Sequence, residues 1–455
     1  MRRSFRIGLL LMSVAIFAAY AGFILGPAPK FGVGMAIDQE GNVYFAGGPD
    51  GFNARFTAVT KYDKEGKQLW ERRFGIREAS GGVCEGFAAD YEGNVYVTGS
   101  IQKHKVEKSI YTTMKYTKNG KRLWQVSYKT PPKYCFDAIA MAVDTKANVH
   151  IVGFYELEDW TKYLDVNLNF NYEGDSKPTS DILTIKYDTN GRELWAKRYG
   201  HAENQRCEPS DIAVDKAGNV YVTGRSWVDS NDGLEKLKFV TLKYNADGKQ
   251  LWVALWPPSG ERTSSLNRSN VLTLDNAGNV YVLGDSSHKQ NEYTDMVTIK
   301  YDTDGNRKWT AQYRTSAKKL IFPKSIALGE AGTVCILGNE KPRTYGSGYP
   351  PNDTLDSMKK AEFITVKYDA DGKELWRAKY KDPEGRVIII HYIVVGAKGN
   401  VYVIGSVLLD ALVIMYDSNG NEQWVRQFKD PSQLAKLISE VKMQRATLSA
   451  ENLRE

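Results

Sequence analysis

Six polar side chains recur along the chain in one local context, each shortly before or within an apolar run that ends in a tight turn. They are Glu85, Asp137, Asp211, Asn270, Lys324 and His391. Paired carboxyl groups can serve as a general acid and a general base, and here such a pair would come from Glu85, Asp137 and Asp211. Nothing in the sequence fixes the separations among them, and a hydrated rim is the simpler interpretation. As a ligand-binding site, this set would use Glu85, Asp211 and His391, and we assign no catalytic residue.

Two long stretches carry aromatic side chains among polar and acidic residues. The first runs from Phe154 to about Ser180 and the second from Asn339 to about Glu362. Loops of this length are uncommon unless they are functional or disordered, and an aromatic ring offers a flat apolar face for a sugar or a peptide. An alternative is that the rings fold back and cap the structure. The candidate ligand-binding residues in these stretches are Trp160, Tyr163, Tyr172, Tyr345 and Tyr349.

The four cysteines do not form a metal-binding motif, because no Cys-x-x-Cys occurs. Cys335 lies within an apolar run and is most simply a small buried residue. Cys84, Cys135 and Cys207 precede equivalent apolar runs, so a disulfide Cys84–Cys135 or Cys135–Cys207 is possible in an oxidising compartment. Free or buried thiols are the alternative. The sequence predicts no metal and no cofactor.

A repeated phrase must position all of these residues. It is most complete at Asp215–Gly224, as Asp-Lys-Ala-Gly-Asn-Val-Tyr-Val-Thr-Gly, and it returns seven times. Its centres are Gly41-Asn42, Gly93-Asn94, Ala147-Asn148, Gly218-Asn219, Gly278-Asn279, Gly332-Thr333 and Gly399-Asn400. A second phrase alternates with it and ends on Trp70, Trp124, Trp195, Trp252, Trp309, Trp376 and Trp424.

Each repeat reads as four short strands, A to D. Apolar, β-branched and aromatic runs favour strands, and the Asp-x-x-Gly turns between A and B and between C and D favour tight reversals. Seven such units predict an all-β fold, a seven-bladed β-propeller of four-stranded blades. The recurring tryptophans are then core or inter-blade residues. The turns are structural and not calcium loops, although Asp302–Asn306 superficially resembles one.

The phrase Asp-x-x-Gly-Asn-x-Tyr-Val-x-Gly resembles the SBBP (seven-bladed β-propeller) repeat family, over about residues 31–428. It stands as Asp90–Gly99, Asp215–Gly224 and Asp275–Gly284. Blade six departs from it, with Gly329 for Asp and Cys335 for Tyr, and blade seven has Gly396 for Asp. The resemblance implies an architecture and no particular activity.

Residues 1–30 precede the propeller and have the character of an export signal. Arg2, Arg3 and Arg6 stand before an apolar stretch from Ile7 to Leu25. A cleavage site at Ala19–Ala21 is one possibility, but the stretch is long enough to remain as a single-pass anchor. Either way, we expect an extracytoplasmic propeller, periplasmic or at the cell surface, attached to the membrane through this helix or otherwise secreted.

The end of the chain and its charge complete the prediction. Asp430-Pro431 predicts the start of an amphipathic helix in the tail 429–455. Because the repeats begin on strand A and end on strand D, we predict no strand exchange between the first and last blades, with closure by packing that the helix assists.

The net charge of +7 includes the three signal arginines, and the remainder is too small and scattered to indicate nucleic acid.

We expect binding to lie on the face of the B–C and D–A loops, because these loops vary in length whereas the A–B and C–D turns are uniform. The favoured function is a scaffold that binds an unidentified protein or glycan. The alternative is an extracytoplasmic lyase, hydrolase or quinone-type oxidoreductase with its site at the channel mouth. Quinone-dependent propellers share a Gly-x-x-x-Trp phrase, similar to Gly191–Trp195, but the spacing from Asp188 is one residue shorter here. A unit in a surface array is a third possibility.

Overall fold

Each predicted repeat forms one four-stranded antiparallel sheet. In the computed structural model, all seven sheets consist of four strands that are consecutive in the chain, so the molecule is a seven-bladed β-propeller, as predicted. The structure describes residues 34–47, 57–74, 79–103, 109–130, 134–157, 180–200, 205–228, 236–257, 267–288, 293–315, 319–342, 359–407 and 410–451. The predicted signal or anchor at 1–30 lies outside these residues. None of the helices within them is long and apolar enough to cross a membrane.

The strands follow the order A, B, C, D in every blade. Their bounds are β1 (Gly34–Ile37), β2 (Val43–Gly47), β3 (Thr57–Tyr62), β4 (Gln68–Phe74); β5 (Ala79–Ala89), β6 (Val95–Lys103), β7 (Ser109–Tyr116), β8 (Arg122–Ser127); β9 (Tyr134–Val143), β10 (Val149–Leu157), β11 (Ser180–Tyr187), β12 (Glu193–Tyr199); β13 (Gln205–Val214), β14 (Val220–Val228), β15 (Lys236–Tyr244), β16 (Gln250–Trp256); β17 (Asn267–Leu274), β18 (Val280–His288), β19 (Tyr293–Tyr301), β20 (Arg307–Arg314); β21 (Lys319–Leu328), β22 (Val334–Pro342), β23 (Glu362–Tyr368), β24 (Glu374–Tyr380); and β25 (Ile388–Val395), β26 (Val401–Val407), β27 (Asp410–Tyr416), β28 (Glu422–Phe428). A helix, α1 (Pro431–Glu451), follows the last strand.

The chain divides into two compact units. One contains blades one, six and seven with α1, and the other contains blades two to five. In both units strands B and C of each blade are largely buried, whereas strand D alternates between exposed and partly buried residues. We call the end of a blade with the A–B and C–D turns its turn end, and the end with the B–C and D–A loops its loop end.

The aspartate of the repeated phrase organises the A–B turn. In blade four, Oδ1 of Asp215 accepts the backbone N–H groups of Ala217 (3.0 Å) and Asn219 (2.8 Å). Oδ2 accepts the Asn219 side-chain amide (2.7 Å) and the Tyr221 hydroxyl (3.1 Å). Asp38, Asp90 and Asp275 accept the equivalent asparagine and tyrosine side chains, and in blade three His150 replaces the tyrosine opposite Asp144 (3.2 Å). Each phrase is therefore a hydrogen-bonded turn, as predicted.

Blades six and seven keep this turn without the aspartate. The backbone bonds from Gly329 N to Thr333 O and from Gly396 N to Asn400 O remain, both at 2.8 Å. Ala331 and Lys398 adopt positive φ values of 51° and 57° in short 3-10 turns. The main chain thus sustains the turn, and the aspartate strengthens it in the other blades.

The second phrase connects neighbouring blades. The indole N–H of Trp195 donates to the carbonyl of Ala246 in the next blade (3.1 Å), and Nζ of Lys186 donates to the same oxygen (3.0 Å). Gly248 of that turn has a φ of +79°, and a side chain there would press on the Trp195 ring. Trp124, Trp252 and Trp376 make equivalent bonds. The predicted inter-blade role of these tryptophans is confirmed.

Strand A carries a β-bulge opposite the glycine that ends the first phrase. A Cβ on Gly224 would overlap the carbonyl of Glu208, and the register shifts between Pro209 and Asp211, which leaves Ser210 outside the pairing. The same shift occurs opposite Gly153, Gly284, Gly338 and Gly405. Bulges re-aim a side chain, so in these five blades this position orients one residue differently from its neighbours.

The C-terminal helix seals the junction between the first and last blades. Asp430 caps it by accepting the N–H of Ser432 (2.9 Å). Leu434, Ala435 and Ile438 are buried against residues of β2, β3, β26 and β27. Among the described residues, the sheets of these two blades each contain four consecutive strands and no exchanged one, so closure by packing with help from the helix is confirmed.

Candidate functional site

Three of the polar residues predicted to share a site occupy the bulge. Asn270, Lys324 and His391 are the residues that fall outside the strand pairing in their blades. Glu85 stands at the same distance from its turn, five residues before Asp90. Asp137 and Asp211 stand at other positions of the repeat, so the six are not one equivalent set. The bulge is the feature that sequence reasoning missed, and the repeated glycine of strand B was its signal.

The bulged side chains of two blades contact the residue that follows the strand B glycine. His391 Nε2 lies 3.0 Å from Oγ of the buried Ser406, and the amide of Asn270 donates to Asp285 (3.3 Å). Burial, with a smaller effect from the charge of Lys324, lowers the pKa of His391 to about 4. The imidazole is therefore neutral at neutral pH and suited to hydrogen bonding.

Asp211 bridges the inner strands of adjacent blades. Its Oδ1 accepts the N–H of Ile212 (2.8 Å), and its Oδ2 accepts the N–H of Leu272 in the next blade (2.9 Å). Ser325 makes the same bridge to Ile393 (3.3 Å). Burial raises the pKa of Asp211 to about 6, and the two hydrogen bonds oppose that rise. Because both oxygens hold main-chain groups, this geometry favours a structural role for Asp211 over ligand binding.

Glu85 and Asp137 are brought within electrostatic reach of each other. Burial, followed by the nearby charge of Asp137, raises the pKa of Glu85 to about 7. Burial raises the pKa of Asp137 to about 6, although a hydrogen bond with Tyr111 opposes the change. A carboxyl group that titrates near neutrality can donate or accept a proton, so this pair has the chemistry of a general acid or base.

The predicted aromatic residues cannot be placed. Trp160, Tyr163, Tyr172, Tyr345 and Tyr349 lie outside the described residues, and their role in binding stays a prediction.

The described cysteine side chains are buried. Cys207 is a free thiol whose Sγ donates to Ser226 Oγ (3.4 Å), and burial raises its pKa to about 11. The Cys135–Cys207 disulfide is therefore not formed here. Cys84 is likewise not part of a disulfide, so the Cys84–Cys135 pairing is not formed either. Cys335 is buried in β22, as expected. Within the described part of the chain, no group of His, Cys, Asp and Glu has a metal-binding arrangement.

A cluster that the sequence analysis did not select lies at the loop end of blade four. Strands β13 and β14 place Arg206 opposite Trp227 and Glu208 opposite Arg225, on one face of the sheet. We call these four residues the blade-4 arginine cluster. In the sequence the cluster appears as two short segments, Arg206-Cys207-Glu208 and Arg225-Ser226-Trp227, in which the four members occupy alternate positions. Only the register of the two strands shows that these positions face one another.

One buried carboxylate holds both guanidinium groups. Oε1 of Glu208 accepts Nη2 of Arg206 (2.6 Å), and Oε2 accepts Nε of Arg225 (2.6 Å). The guanidinium carbons of Arg206 and Arg225 lie 4.7 and 4.6 Å from the ring centroid of Trp227. The Glu208 side chain is 8% exposed, whereas that of Arg206 is 44% exposed. The cluster therefore presents an oriented cation with one net positive charge.

The ion pairs described at the loop ends of three other blades join equal numbers of acidic and basic side chains. In blade three, Asp181 pairs with Arg198, whose guanidinium lies over Tyr155. In blade five, Asp295 pairs with Arg314 (3.5 Å). The blade-six cluster contains the four residues Lys319, Lys379, Glu340 and Glu362. Among these clusters, the one in blade four is distinguished by its excess positive charge.

Comparisons with solved structures return proteins with TM-scores below 0.5 and about 10% sequence identity. An ulvan lyase, a polysaccharide lyase, aligns with a TM-score of 0.48 and 10% identity over 90% of this chain and 96% of that one. Prolyl oligopeptidase B from Galerina marginata aligns with a TM-score of 0.47 and 9% identity over 87% of this chain and 50% of that one. The β-propeller domain of the Trilobed protease from Pyrococcus furiosus gives 0.39 and 10%, over 78% and 98%. No functional argument rests on these similarities.

No curated protein matches the chain at a significant level. Residues 194–230, which run from strand D of blade three to the end of strand B of blade four, match the family model of the SBBP β-propeller repeat. The structure is therefore a seven-bladed β-propeller, and one of its repeats, residues 194–230, matches the SBBP repeat.

Proposed function

We propose that this chain is an exported binding module that recognises a protein or a glycan at the loop ends of its blades. One contrast carries the proposal. At the turn ends the repeated side chains are used by internal hydrogen bonds, whereas at the loop ends partly exposed cations differ from blade to blade. Variable side chains on a rigid scaffold are where proteins usually carry their binding residues.

The proposed location is extracytoplasmic, with the chain anchored through its N-terminal apolar segment. The support is the sequence of residues 1–30, with three arginines ahead of the apolar stretch. Protease added to intact cells or spheroplasts should digest the propeller, and deletion of residues 2–25 should protect it. Protection of the full chain would reject this location.

A binding screen tests the function. The full chain is applied to a glycan array and a peptide array beside a variant in which residues 158–179 are replaced by a short Gly/Ser loop. The control is Lys216→Gln, at an exposed position of the blade-four turn end. We expect a hit that weakens in the loop variant and persists in the control. Hits lost equally in both, or no hit for the native chain, would reject the proposal.

One observation favours a second candidate, an enzyme with a general acid at the inner strands. The pKa of Glu85 is raised to about 7 beside Asp137, and perturbed carboxyl groups are common in active sites. Turnover of polysaccharide or peptide substrates should then fall sharply in Glu85→Gln and show a pH optimum near neutrality. Activity that is unchanged in this variant would remove the acid–base role.

A further inference from the structure

Arg206 is held in one orientation by contacts that use only part of its guanidinium group. Nη2 donates to Glu208 (2.6 Å), and the group lies against Trp227 at 4.7 Å from the ring centroid. Among the described residues, Nε and Nη1 of Arg206 have no hydrogen-bond acceptor. A stacked guanidinium loses less conformational freedom when it binds, because its plane is already fixed.

The chemistry of the free part of the cluster defines the ligand group. Guanidinium N–H groups donate and do not accept, and both Glu208 oxygens already accept bonds from arginines. The ligand must therefore supply acceptors and negative charge. A carboxylate meets both requirements and matches the fork of a guanidinium group with two parallel hydrogen bonds.

The residue types favour a protein as the source of that carboxylate. Tryptophan and arginine are enriched among the residues that dominate protein–protein binding energies, and arginine clusters recognise acidic peptide motifs. Arg198 over Tyr155 repeats the pairing of an arginine with an aromatic ring in the neighbouring blade.

We infer that the blade-4 arginine cluster binds the carboxylate side chains of an acidic segment of a partner protein, with Arg206 as the principal contact. This inference rests on the proposed function and narrows its ligand to one class. Arg225 and Glu208 hold the geometry, and Trp227 provides the surface against which both guanidinium groups are fixed.

Fluorescence anisotropy with the full chain tests the inference. The probe is a labelled peptide of alternating glutamate and serine, with a glutamine and serine peptide as its neutral match and oligogalacturonate as a carboxylated sugar. The variants are Arg206→Gln, Arg206→Lys and the turn-end control Lys216→Gln. Arg206→Lys keeps the charge without the fork, so it remains informative if Arg206→Gln perturbs Glu208. Thermal melting reports the folding of each variant.

We expect the native chain to bind the glutamate peptide and not the glutamine peptide. The Kd should rise at least about tenfold in Arg206→Gln, because a charge-assisted hydrogen bond is lost. It should rise less in Arg206→Lys and stay unchanged in Lys216→Gln. Addition of salt should weaken binding because the pair is partly exposed.

Three results would overturn the inference. They are equal binding of the two peptides, equal weakening in Arg206→Gln and Lys216→Gln, and Arg206-dependent binding of oligogalacturonate without binding of the peptide. Hits on the arrays that persist in Arg206→Gln would reject this site and leave the proposed function standing. A native chain that binds nothing on the arrays would reject the proposed function itself.

Discussion

The two ends of each blade use polar side chains in different ways. At the turn end of blade four, Asp215 accepts four hydrogen bonds from within its own turn and strand. At the loop end of the same blade, Glu208 accepts bonds from two arginines that remain partly exposed. The turn-end set recurs with the same geometry in four blades, and the loop-end clusters differ in charge between blades.

The difference indicates which polar groups stabilise the fold and which are available to a ligand. A buried acceptor that is satisfied by its own turn contributes to stability and has no capacity left for binding. A cation at a strand end contributes little to stability and keeps donors for another molecule. Substitutions should therefore lower stability at the turn end and alter binding at the loop end.

The largest loss of stability is expected for Gly420→Ala at a turn end. Gly420 has a φ of +87°, and a Cβ would lie 2.6 Å from Cδ2 of Trp376. The free energy of unfolding should fall by about 3–5 kcal/mol, from the left-handed conformation and overpacking together. Gly385→Ala is the matched control, because its φ is +64° and nothing lies within 4 Å. Equal losses for both variants in urea denaturation would show that contact with the tryptophan is unimportant.

Asp215→Ala removes a whole turn-end network. The loss of four hydrogen bonds, two of them to side chains, should lower the free energy of unfolding by about 2–4 kcal/mol. Asp247→Ala, at an exposed position of the other turn in the same blade, should change it by less than about 0.5 kcal/mol. Similar urea midpoints for the two variants would contradict the special role of the first phrase.

Trp195→Phe should have a smaller effect, about 1–2 kcal/mol. The Ala246 carbonyl loses the indole donor but keeps the Lys186 donor. The double variant with Lys186→Met should therefore lose more than the sum of the two single variants. Strict additivity in a double-mutant cycle would show that the two donors do not act on a shared acceptor.

Glu85→Gln, unlike the substitutions above, should raise the free energy of unfolding at alkaline pH. The folded-state pKa of about 7 lies above the ordinary glutamate pKa of 4.5, so the native state binds more protons than the unfolded state between these values. Native stability should fall as pH rises through that window. The variant should be flatter with pH and more stable than the native chain near pH 8. Parallel melting curves for both chains from pH 4 to pH 8 would contradict the shift.

The smallest change in stability is expected for Arg206→Gln. The side chain is 44% exposed and Arg225 still neutralises Glu208, so the free energy of unfolding should change by less than about 1 kcal/mol. Binding of the acidic peptide should nevertheless weaken. A stability loss as large as that of Asp215→Ala would show that the cluster stabilises the fold as the turn-end networks do.

The architecture could be predicted because its signals are local and repeated. Aspartate, glycine and asparagine define each turn within five residues, and seven copies specify the number of blades. Even the departures at Gly329 and Gly396 kept their turns, because backbone hydrogen bonds carry the geometry. The helix after Asp430 was predictable from its cap and its periodic apolar residues.

The candidate site could be predicted only in part, because it depends on register. Glu85, Asn270, Lys324 and His391 share a repeat position, but Asp211 lies one residue further on and bridges two blades. A single-residue step across a bulge changes the face on which a side chain lies. The blade-4 arginine cluster was missed for the same reason, since its four members become neighbours only when β13 and β14 are paired.

The seal formed by α1 has a consequence for how the chain is made. Leu434, Ala435 and Ile438 cover Val43, Phe45 and Val413 at the junction of the first and last blades, and they are synthesised after every strand. During translation this apolar seam therefore stays uncovered until α1 has left the ribosome. A message truncated after blade seven would yield a product with all its strands and an exposed seam, and such a surface is what cellular chaperones and proteases recognise.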